Sequence, residues 1–427
     1  MSHIADHVTR TVLDNGLTVL SQEVHTAPVA TCWVWYRVGG RNERPGLTGI
    51  SHWVEHMMFK GTPAFPKGEI MRLVNKNGGV LNGFTSQDQT VYFETLPADR
   101  IQLGLRIEAD RMANSVFDPQ EVTSERTVIL SERQGAENSP AFLLYEEVAA
   151  AAFRVHPYGH QVIGWREDLQ RITRDDLWQH YRTYYGPHNA ILTVVGDFET
   201  AAMMASIQTH FGPIPAGPPP PPMGIVEPPQ RAERRVTLRQ PGTTAYFQAV
   251  YHVPDSCHTD FYPLLVLDAV LSGAKPMSLS SPSVTNKSAR LYRALVETEL
   301  ASSVGSSFGG NLDPGLFSFS ATVRAGRTLE EVEAAMLTET QRVIDEPVSG
   351  DELTKTLKQA RAQFVFANES VSNRAYWLGR MELVESYRRL STFLQNLSAV
   401  TQQDVQRVAQ TYLKPSNRTI GWFAPEA

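Results

Sequence analysis

Two histidines and a glutamate occur within five residues, in the run His52-Trp-Val-Glu55-His56. In an α-helix, residues four positions apart lie on the same face, so His52 and His56 can bind one metal ion together, with Glu55 beside them. This H-x-x-E-H spacing is the inverted form of a zinc-hydrolase motif, in which the histidines bind zinc and the glutamate acts on the activated water. The spacing therefore predicts a metal-dependent hydrolase.

The pentapeptide supplies only part of such a site, because catalytic zinc centres use three protein ligands and keep one position open. A helical run downstream carries Glu121, Glu125 and Glu132 at spacings of four and seven, which places them on one stripe. Glu132 is the best candidate for the third ligand. A row of carboxylates on one helical face is more often a solvated surface, so the spacing alone leaves both interpretations open.

Several predicted elements must position these side chains. Thr48 or Ser51 is expected to cap the start of the motif helix, and Gly61 is expected to end it. Alternating β-branched and aromatic residues predict strands at 31–38, 90–96, 190–195, 244–253, 315–323 and 419–423, and a strand-like run at 8–19 with a turn at 14–16 inside it. Amphipathic periodicity predicts helices at 100–114, 120–136, 329–344 and 349–368. This mixture favours an α+β fold with mainly antiparallel sheets faced by helices.

A proline-rich segment divides the chain near its midpoint. Nine of the 27 prolines fall within residues 213–229, where the missing amide donors favour an extended, semi-rigid linker. We therefore predict a zinc-binding domain at 1–212, a linker at 213–230 and a second domain without a zinc site at 231–427. Six residues on the first side recur on the second at one offset of 228, which predicts a tandem duplication: Thr173, Asp176, Thr183, Tyr184, Pro187 and Asn189.

The overall composition narrows the function classes. With 42% hydrophobic and 20% charged residues, the 427-residue chain is typical of globular proteins of two or more domains. Its net charge of −6 argues against nucleic acid as the main partner, and its two cysteines exclude a disulfide framework. No apolar run predicts a membrane span, and no apolar targeting segment opens the chain. We expect a cytoplasmic protein, or a periplasmic one if Met1 replaces a removed signal peptide.

The wider sequence around the motif resembles the insulinase–pitrilysin zinc peptidases, in the branch that is like the mitochondrial processing peptidases. The resemblance rests on Gly49-Ile-Ser-His-Trp-Val-Glu-His-Met-Met-Phe-Lys-Gly-Thr62, on the run from Gly78 to Tyr92, and on His156-Pro-Tyr-Gly-His160. It extends over essentially the whole chain, since that family too is a tandem of two similar α+β halves. The activity implied is peptide hydrolysis with one zinc ion per chain.

The resemblance assigns roles around the motif. The third zinc ligand of the family is a Glu 76 positions after the second motif His, which is Glu132 here. Glu125 matches a further Glu that holds a ligand in place, and Glu55 matches the general base. For Glu121 the solvated surface remains the better interpretation.

The resemblance also implies contacts to the substrate. Asn82 and Gly83 begin a strand-like run to Leu96, along which family members bind an extended peptide through backbone pairing. The family usually has Ala at the position of Gly83, a change expected to leave room. Phe59 matches an aromatic residue that lines the pocket for the residue after the cleaved bond, although simple core packing is the alternative.

The second half departs from the family pattern. Active members usually supply an Arg and, seven residues later, a Tyr that reach the substrate. Here those positions hold Val296 and Ser303, or Leu295 and Ser302 in the other alignment, and none of these can provide a guanidinium or phenol. We therefore predict a heterodimer in which a related subunit supplies the Arg/Tyr pair. A homodimer and a non-catalytic structural subunit are the alternatives.

Overall fold

The computed structural model describes residues 5–277 and 286–426, so Met1, on which the expected compartment depends, lies outside the described residues. The strands of the described chain are β1 (Val8–Val12), β2 (Thr18–Glu23), β3 (Val29–Tyr36), β4 (Val80–Thr85), β5 (Thr90–Pro97), β6 (Ala190–Gly196), β7 (Arg234–Pro241), β8 (Tyr246–Val253), β9 (Ala301–Ser307), β10 (Gly315–Val323) and β11 (Arg418–Glu426). The α-helices are α1 (Ile50–Met57), α2 (Glu69–Lys76), α3 (Ile101–Asn114), α4 (Pro119–Glu137), α5 (Pro140–Ala152), α6 (Arg166–Arg171), α7 (Arg174–Tyr184), α8 (Thr200–Phe211), α9 (Phe261–Ser272), α10 (Leu329–Asp345), α11 (Gly350–Ala367), α12 (Val371–Val384), α13 (Arg389–Ser398) and α14 (Gln402–Tyr412).

The strands form two sheets with the same internal design. The first has the order β1-β2-β6-β3-β5-β4 and the second β7-β11-β8-β10-β9. In each sheet one pair is parallel, β2 with β6 and β7 with β11, and the following three pairs are antiparallel. The second sheet thus repeats the last five strands of the first in order and direction. The predicted α+β duplication is confirmed.

The repeated residues form the same hydrogen bonds in both copies. The Asn189 amide donates to the Tyr184 carbonyl at 2.9 Å, and the Asn417 amide donates to the Tyr412 carbonyl at 2.8 Å. Both bonds close the turn between a helix and the interior strand that follows it. The repeated Thr and Asp form the capping boxes of α7 and α14. The offset of 228 therefore preserves local hydrogen bonds as well as residue types.

The compact units are not continuous in sequence. One comprises the described residues up to Gln134, His160–Gly224 and Asn368–Ser391, and the other Gly135–Gly159, the described part of Ile225–Ala367, and the chain from Thr392. Helix α5 packs on β7, β8 and β11 of the second sheet, and α12 packs on β3 and β6 of the first. The predicted division at 213–230 follows the sequence repeat, whereas each compact unit includes one helix from the other half.

Two predicted strand-like runs are hairpins, and one of them had been expected to be continuous. The run at 8–19 is a hairpin of β1 and β2 about its predicted turn at 14–16, whereas the run from Asn82 to Leu96, predicted as continuous, is a hairpin of β4 and β5. Polar turn residues interrupt the alternation in each run. As a result β4 is the edge strand of the first sheet, where it pairs with β5 alone among the described strands. None of the described helices combines the length and apolarity required to cross a membrane.

Candidate metal centre

The motif helix α1 is fixed at its start by a carboxylate from outside the helix. Its N-cap residue is Gly49, with φ +87°, which has no side chain to accept a hydrogen bond from the first turn. Instead Glu43 accepts the N–H groups of Gly49 and Ser51 at 2.7 and 2.8 Å, and a ring nitrogen of His160 lies 2.9 Å from the same carboxylate. A negative group at a helix N-terminus satisfies amides that have no partner within the helix.

The predicted caps of this helix are therefore wrong. The hydroxyl of Thr48 donates to Asp168 at 2.7 Å, and the hydroxyl of Ser51 donates to the Gly39 carbonyl at 3.2 Å. The helix ends at Met57, before Gly61, whose φ of +106° belongs to the following turn. Because Gly49, in the left-handed conformation, is the N-cap residue, the hydroxyls of Thr48 and Ser51 make tertiary contacts instead of capping the helix.

The structure brings the three predicted ligands together. Glu132 on α4 has its Oε2 3.8 Å from His52 Nε2 and 3.6 Å from His56 Nε2. Ligand atoms of the three residues all lie within 4.8 Å of one another. These separations are too long for hydrogen bonds. They are close to the spacing of two ligands on one tetrahedral zinc ion, about 3.4 Å for bonds of about 2.1 Å.

The chemistry of the donors also fits zinc. Burial and the neighbouring His56 lower the pKa of His52 to about 3, which keeps its imidazole neutral, as a metal ligand must be. Burial lowers the pKa of His56 as well, but its bond to Glu125 and the charges of Glu132 and Glu55 outweigh burial and raise that pKa overall. Two imidazoles and one carboxylate thus face a common point, and these residues suit a divalent metal ion.

Glu125 holds one of the imidazoles in place. Its Oε1 lies 2.8 Å from His56 Nδ1, which leaves Nε2 of that ring directed at Glu132. Lys60 forms an ion pair with the other oxygen of Glu125. Burial acts to raise the pKa of Glu125, but its bonds to His56 and Lys60 lower it overall, so the carboxylate stays ionised. This is the arrangement by which acidic residues fix the orientation of ligating histidines.

Replacing Glu125 by Gln should weaken zinc binding by about 10–100-fold, because the neutral amide holds and polarises the His56 ring less well. Competition with a fluorescent chelator measures the dissociation constant. The matched control is Glu121→Gln on the same helix, since Glu121 pairs with Lys67 at 2.7 Å and takes no part in the three-residue cluster. Equal affinities of the two variants would contradict this role for Glu125.

Glu55 lies beside the cluster, is mostly buried, and accepts hydrogen bonds from residues of β4 and β5. The Thr85 hydroxyl donates to Glu55 Oε2 at 2.6 Å, and the Tyr92 hydroxyl donates to the Glu55 carbonyl at 3.3 Å. Burial raises the pKa of Glu55, and the bond from Thr85 partly opposes that rise. A carboxyl with a raised pKa is better matched to proton transfer near neutral pH than an exposed one.

The predicted substrate residues lie on or next to the edge strand. Asn82 is exposed in β4, and its side-chain oxygen accepts the Gly83 N–H at 2.9 Å. Phe59 lies two residues beyond the end of the motif helix, is half-buried, and makes an edge-to-face contact with Tyr92, with ring centroids 5.5 Å apart. Phe59 also packs against the core of the first unit, as the core alternative expects, and its contact with substrate stays a prediction.

Sequence reasoning missed three residues of this site. Lys60 lies three residues beyond the end of the motif helix, and its closeness to His56 in sequence was the only local signal for it. Thr85 and Glu43 left no local signal, because their contacts with the motif helix depend on how separate elements pack. The structure therefore adds the groups that support the site.

A buried histidine behind the motif helix makes stability depend on pH. His180 Nε2 lies 3.1 Å from the Ser51 hydroxyl, and burial lowers its pKa to about 3 from 6.5. Below pH 6.5 the unfolded chain binds a proton there that the folded chain does not, so stability falls as pH falls from 6.5 toward 3. Between pH 6.5 and 5.5 this group alone should cost about 1 kcal/mol.

Urea unfolding of the metal-free protein at both pH values tests this expectation. The free energy of unfolding should fall about 1 kcal/mol more in the wild type than in His180→Gln, which has no group that titrates in this range. Parallel losses in the two proteins would show that His180 is not the cause.

Two family models match the chain. One, described as insulinase (peptidase family M16), matches residues 18–165, and the other, described as peptidase M16 inactive domain, matches residues 171–360. A mitochondrial-processing peptidase subunit beta of Blastocladiella emersonii is 27% identical over 97% of this chain and 88% of its own length. A zinc protease PqqE of Helicobacter pylori is 29% identical over 99% of this chain and 94% of its own.

Solved structures agree with these matches. The crystal structure of a protease from Helicobacter pylori has a TM-score of 0.92 and 28% identity, and the match covers 98% of this chain and 99% of that one. The predicted family is confirmed.

Proposed function

The chain belongs to the insulinase (M16) peptidase family, and we propose that it is a zinc endopeptidase that hydrolyses extended or unfolded peptides. The observation that carries the proposal is the convergence of His52, His56 and Glu132, whose ligand atoms lie within 4.8 Å of one another next to Glu55. Relatives that are named zinc proteases support the choice of metal.

The residues of the site have distinct parts in the proposed reaction. His52, His56 and Glu132 would hold the zinc, whose chemistry in such a site is Lewis acidity toward water and a carbonyl group. Glu55 takes a proton from the attacking water at Oε1, because Oε2 already accepts the Thr85 hydroxyl. The same carboxyl then gives that proton to the leaving amine of the cleaved peptide.

The proposed substrate class follows from the edge strand. One edge of strand β4 pairs with no other described strand. The same strand carries Thr85, whose hydroxyl donates to the proposed general base Glu55. An extended peptide can add to such an edge through backbone hydrogen bonds, which would place its scissile bond near Glu55. A folded protein does not offer an extended backbone, so we expect extended or unfolded peptides as substrates.

The proposal includes a partner subunit. Positions 295–296 and 302–303 lack the Arg and Tyr expected of an active second half, and residues 171–360 match the model described as inactive. One relative is itself named as a beta subunit of a processing peptidase. We therefore expect the catalytic chain of a heterodimer whose related partner supplies those groups, with a homodimer as the alternative.

Zinc content and peptide hydrolysis of the purified chain test the proposal, measured alone and with a candidate partner, a related subunit that carries the Arg and Tyr. We expect one zinc per chain and hydrolysis that increases with the partner and stops with a chelator. Zinc binding without hydrolysis, even with the partner, would favour a non-catalytic structural subunit. Full activity alone, unchanged by the partner, would overturn the heterodimer and leave the peptidase.

A further inference from the structure

Three charged side chains of the first unit are buried next to one another. Glu94 on β5 and Glu108 and Arg111 on α3 have no exposed surface. Both carboxyl groups bind the same guanidinium nitrogen, because Nη2 of Arg111 donates to Glu94 Oε1 at 3.0 Å and to Glu108 Oε1 at 2.7 Å. These three residues are referred to as the buried triad. With both carboxyl groups ionised, the triad would have two negative charges against one positive charge.

A net charge in this position is costly, because no solvent stabilises it. One guanidinium balances one carboxylate, and the second carboxylate repels the first at short range. Glu94 Oε2 and Glu108 Oε2 are buried and accept no hydrogen bond from the described residues. A proton on one carboxyl group removes the excess charge and supplies a donor for the other. In agreement, burial and then the charge of Glu108 raise the pKa of Glu94 well above its usual range, although Arg111 opposes that rise.

The described side chains that flank the buried triad are uncharged near neutral pH. Cys32 of β3 and Leu81 of β4 are the cross-strand neighbours of Glu94. The rings of Tyr92 and Phe59 cover the guanidinium, with centroids 4.5 and 5.0 Å from its central carbon. Burial raises the pKa of each titratable group around the triad, which keeps these groups neutral: Cys32, Tyr36, Tyr92, Tyr181 and Tyr185.

We propose that Glu94 and Glu108 share one proton near neutral pH and form a neutral buried triad with Arg111. The unfolded chain releases this proton above the ordinary glutamate pKa of 4.5, whereas the folded chain keeps it. From pH 4.5 up to the raised pKa of the folded state, the folded chain therefore binds one more proton, and its stability falls as pH rises. This direction is opposite to that of His180, whose effect appears as pH falls below 6.5.

Tyr92 connects the buried triad to the candidate metal centre. Its ring lies on the Arg111 guanidinium, and its hydroxyl donates to the Glu55 carbonyl at 3.3 Å. Loss of the shared proton leaves one unbalanced negative charge behind that ring. The triad therefore weakens the packing behind the motif helix as the solution becomes alkaline.

Infrared spectra of the metal-free protein in heavy water at neutral pH test the shared proton, because a protonated carboxyl group absorbs apart from an ionised one. We expect one such band in the wild type that is lost in both Glu94→Gln and Glu108→Gln, since either change leaves one carboxylate to balance Arg111. Glu121→Gln on α4 is the control and should keep the band. Retention of the band in either triad variant would overturn the shared proton.

Urea unfolding at pH 5.5 and 6.5 measures the same proton through stability. Relative to Glu94→Gln, the folding equilibrium constant of the wild type should fall about tenfold over this one pH unit, because only the folded chain keeps the proton. His180 is present in both proteins, so its effect cancels. A ratio that does not change with pH would contradict the proposal.

A double variant tests the charge balance. Glu94→Gln with Glu108→Gln leaves Arg111 buried without a carboxylate, so this protein should unfold at much lower urea than either single variant. Adding Arg111→Met should recover most of that loss, because it removes the unpaired charge. Simple addition of the two single effects would count against the proposal. None of these measurements involves zinc or peptide, so their outcome is independent of the proposed function.

Discussion

Replacing Glu55 by Gln should lower peptide hydrolysis by about 10²–10⁴-fold while zinc stays bound. The amide has nearly the same shape, and its oxygen can still accept the Thr85 hydroxyl, which now lies 2.6 Å from Glu55 Oε2. It cannot take a proton from water, so the step that generates the nucleophile loses its base. Glu55 is not one of the three clustered ligands, and zinc affinity should therefore change little.

Turnover of a fluorogenic peptide and zinc analysis of the same sample measure both effects. Thr85→Val is an informative companion, because it keeps the carboxylate of Glu55 and removes only the group that orients it. We expect Thr85→Val to be impaired less than Glu55→Gln. If Glu55→Gln retained most of the wild-type rate, a different group would have to serve as the base.

Replacing Glu132 by Gln should have the largest effect on the metal itself. The substitution removes one of three donors and its negative charge, and a carboxamide is a weak zinc ligand. For Glu125→Gln we predict a loss of zinc affinity of about 10–100-fold, and for Glu132→Gln we expect a larger loss, with hydrolysis lost in parallel. Because the Glu132 side chain is 43% exposed, its loss leaves no buried charge unpaired, and the metal-free fold should keep its stability.

Chelator competition and thermal unfolding of the metal-free proteins separate these two expectations. Glu121→Gln on the same helix again serves as the control, with unchanged affinity. Zinc binding by Glu132→Gln at wild-type strength would remove Glu132 from the ligand set. A large drop in the stability of the metal-free variant would indicate a structural role instead.

Much of the fold could be predicted from periodicity and from the internal repeat. The predicted helices and strands lie close to the observed ones wherever a pattern was long, and the offset of 228 identified two copies of one design. The patterns failed at the hairpin of β4 and β5, because these two short strands were predicted as one continuous run. They also gave no sign that α5 and α12 each join the compact unit of the other half, because packing on a distant sheet leaves no local periodicity.

The sequence by itself determined the relative placement of His52, Glu55 and His56, because one helical turn fixes it. It determined Glu132 only through resemblance, since no local rule connects residues 76 positions apart. Tertiary structure alone decided that Glu43 fixes the start of the motif helix, that Thr85 holds the base, and that two buried carboxyl groups meet at one guanidinium. Those contacts join separate elements, and their distances depend on how whole sheets and helices pack rather than on the spacing of residues along the chain.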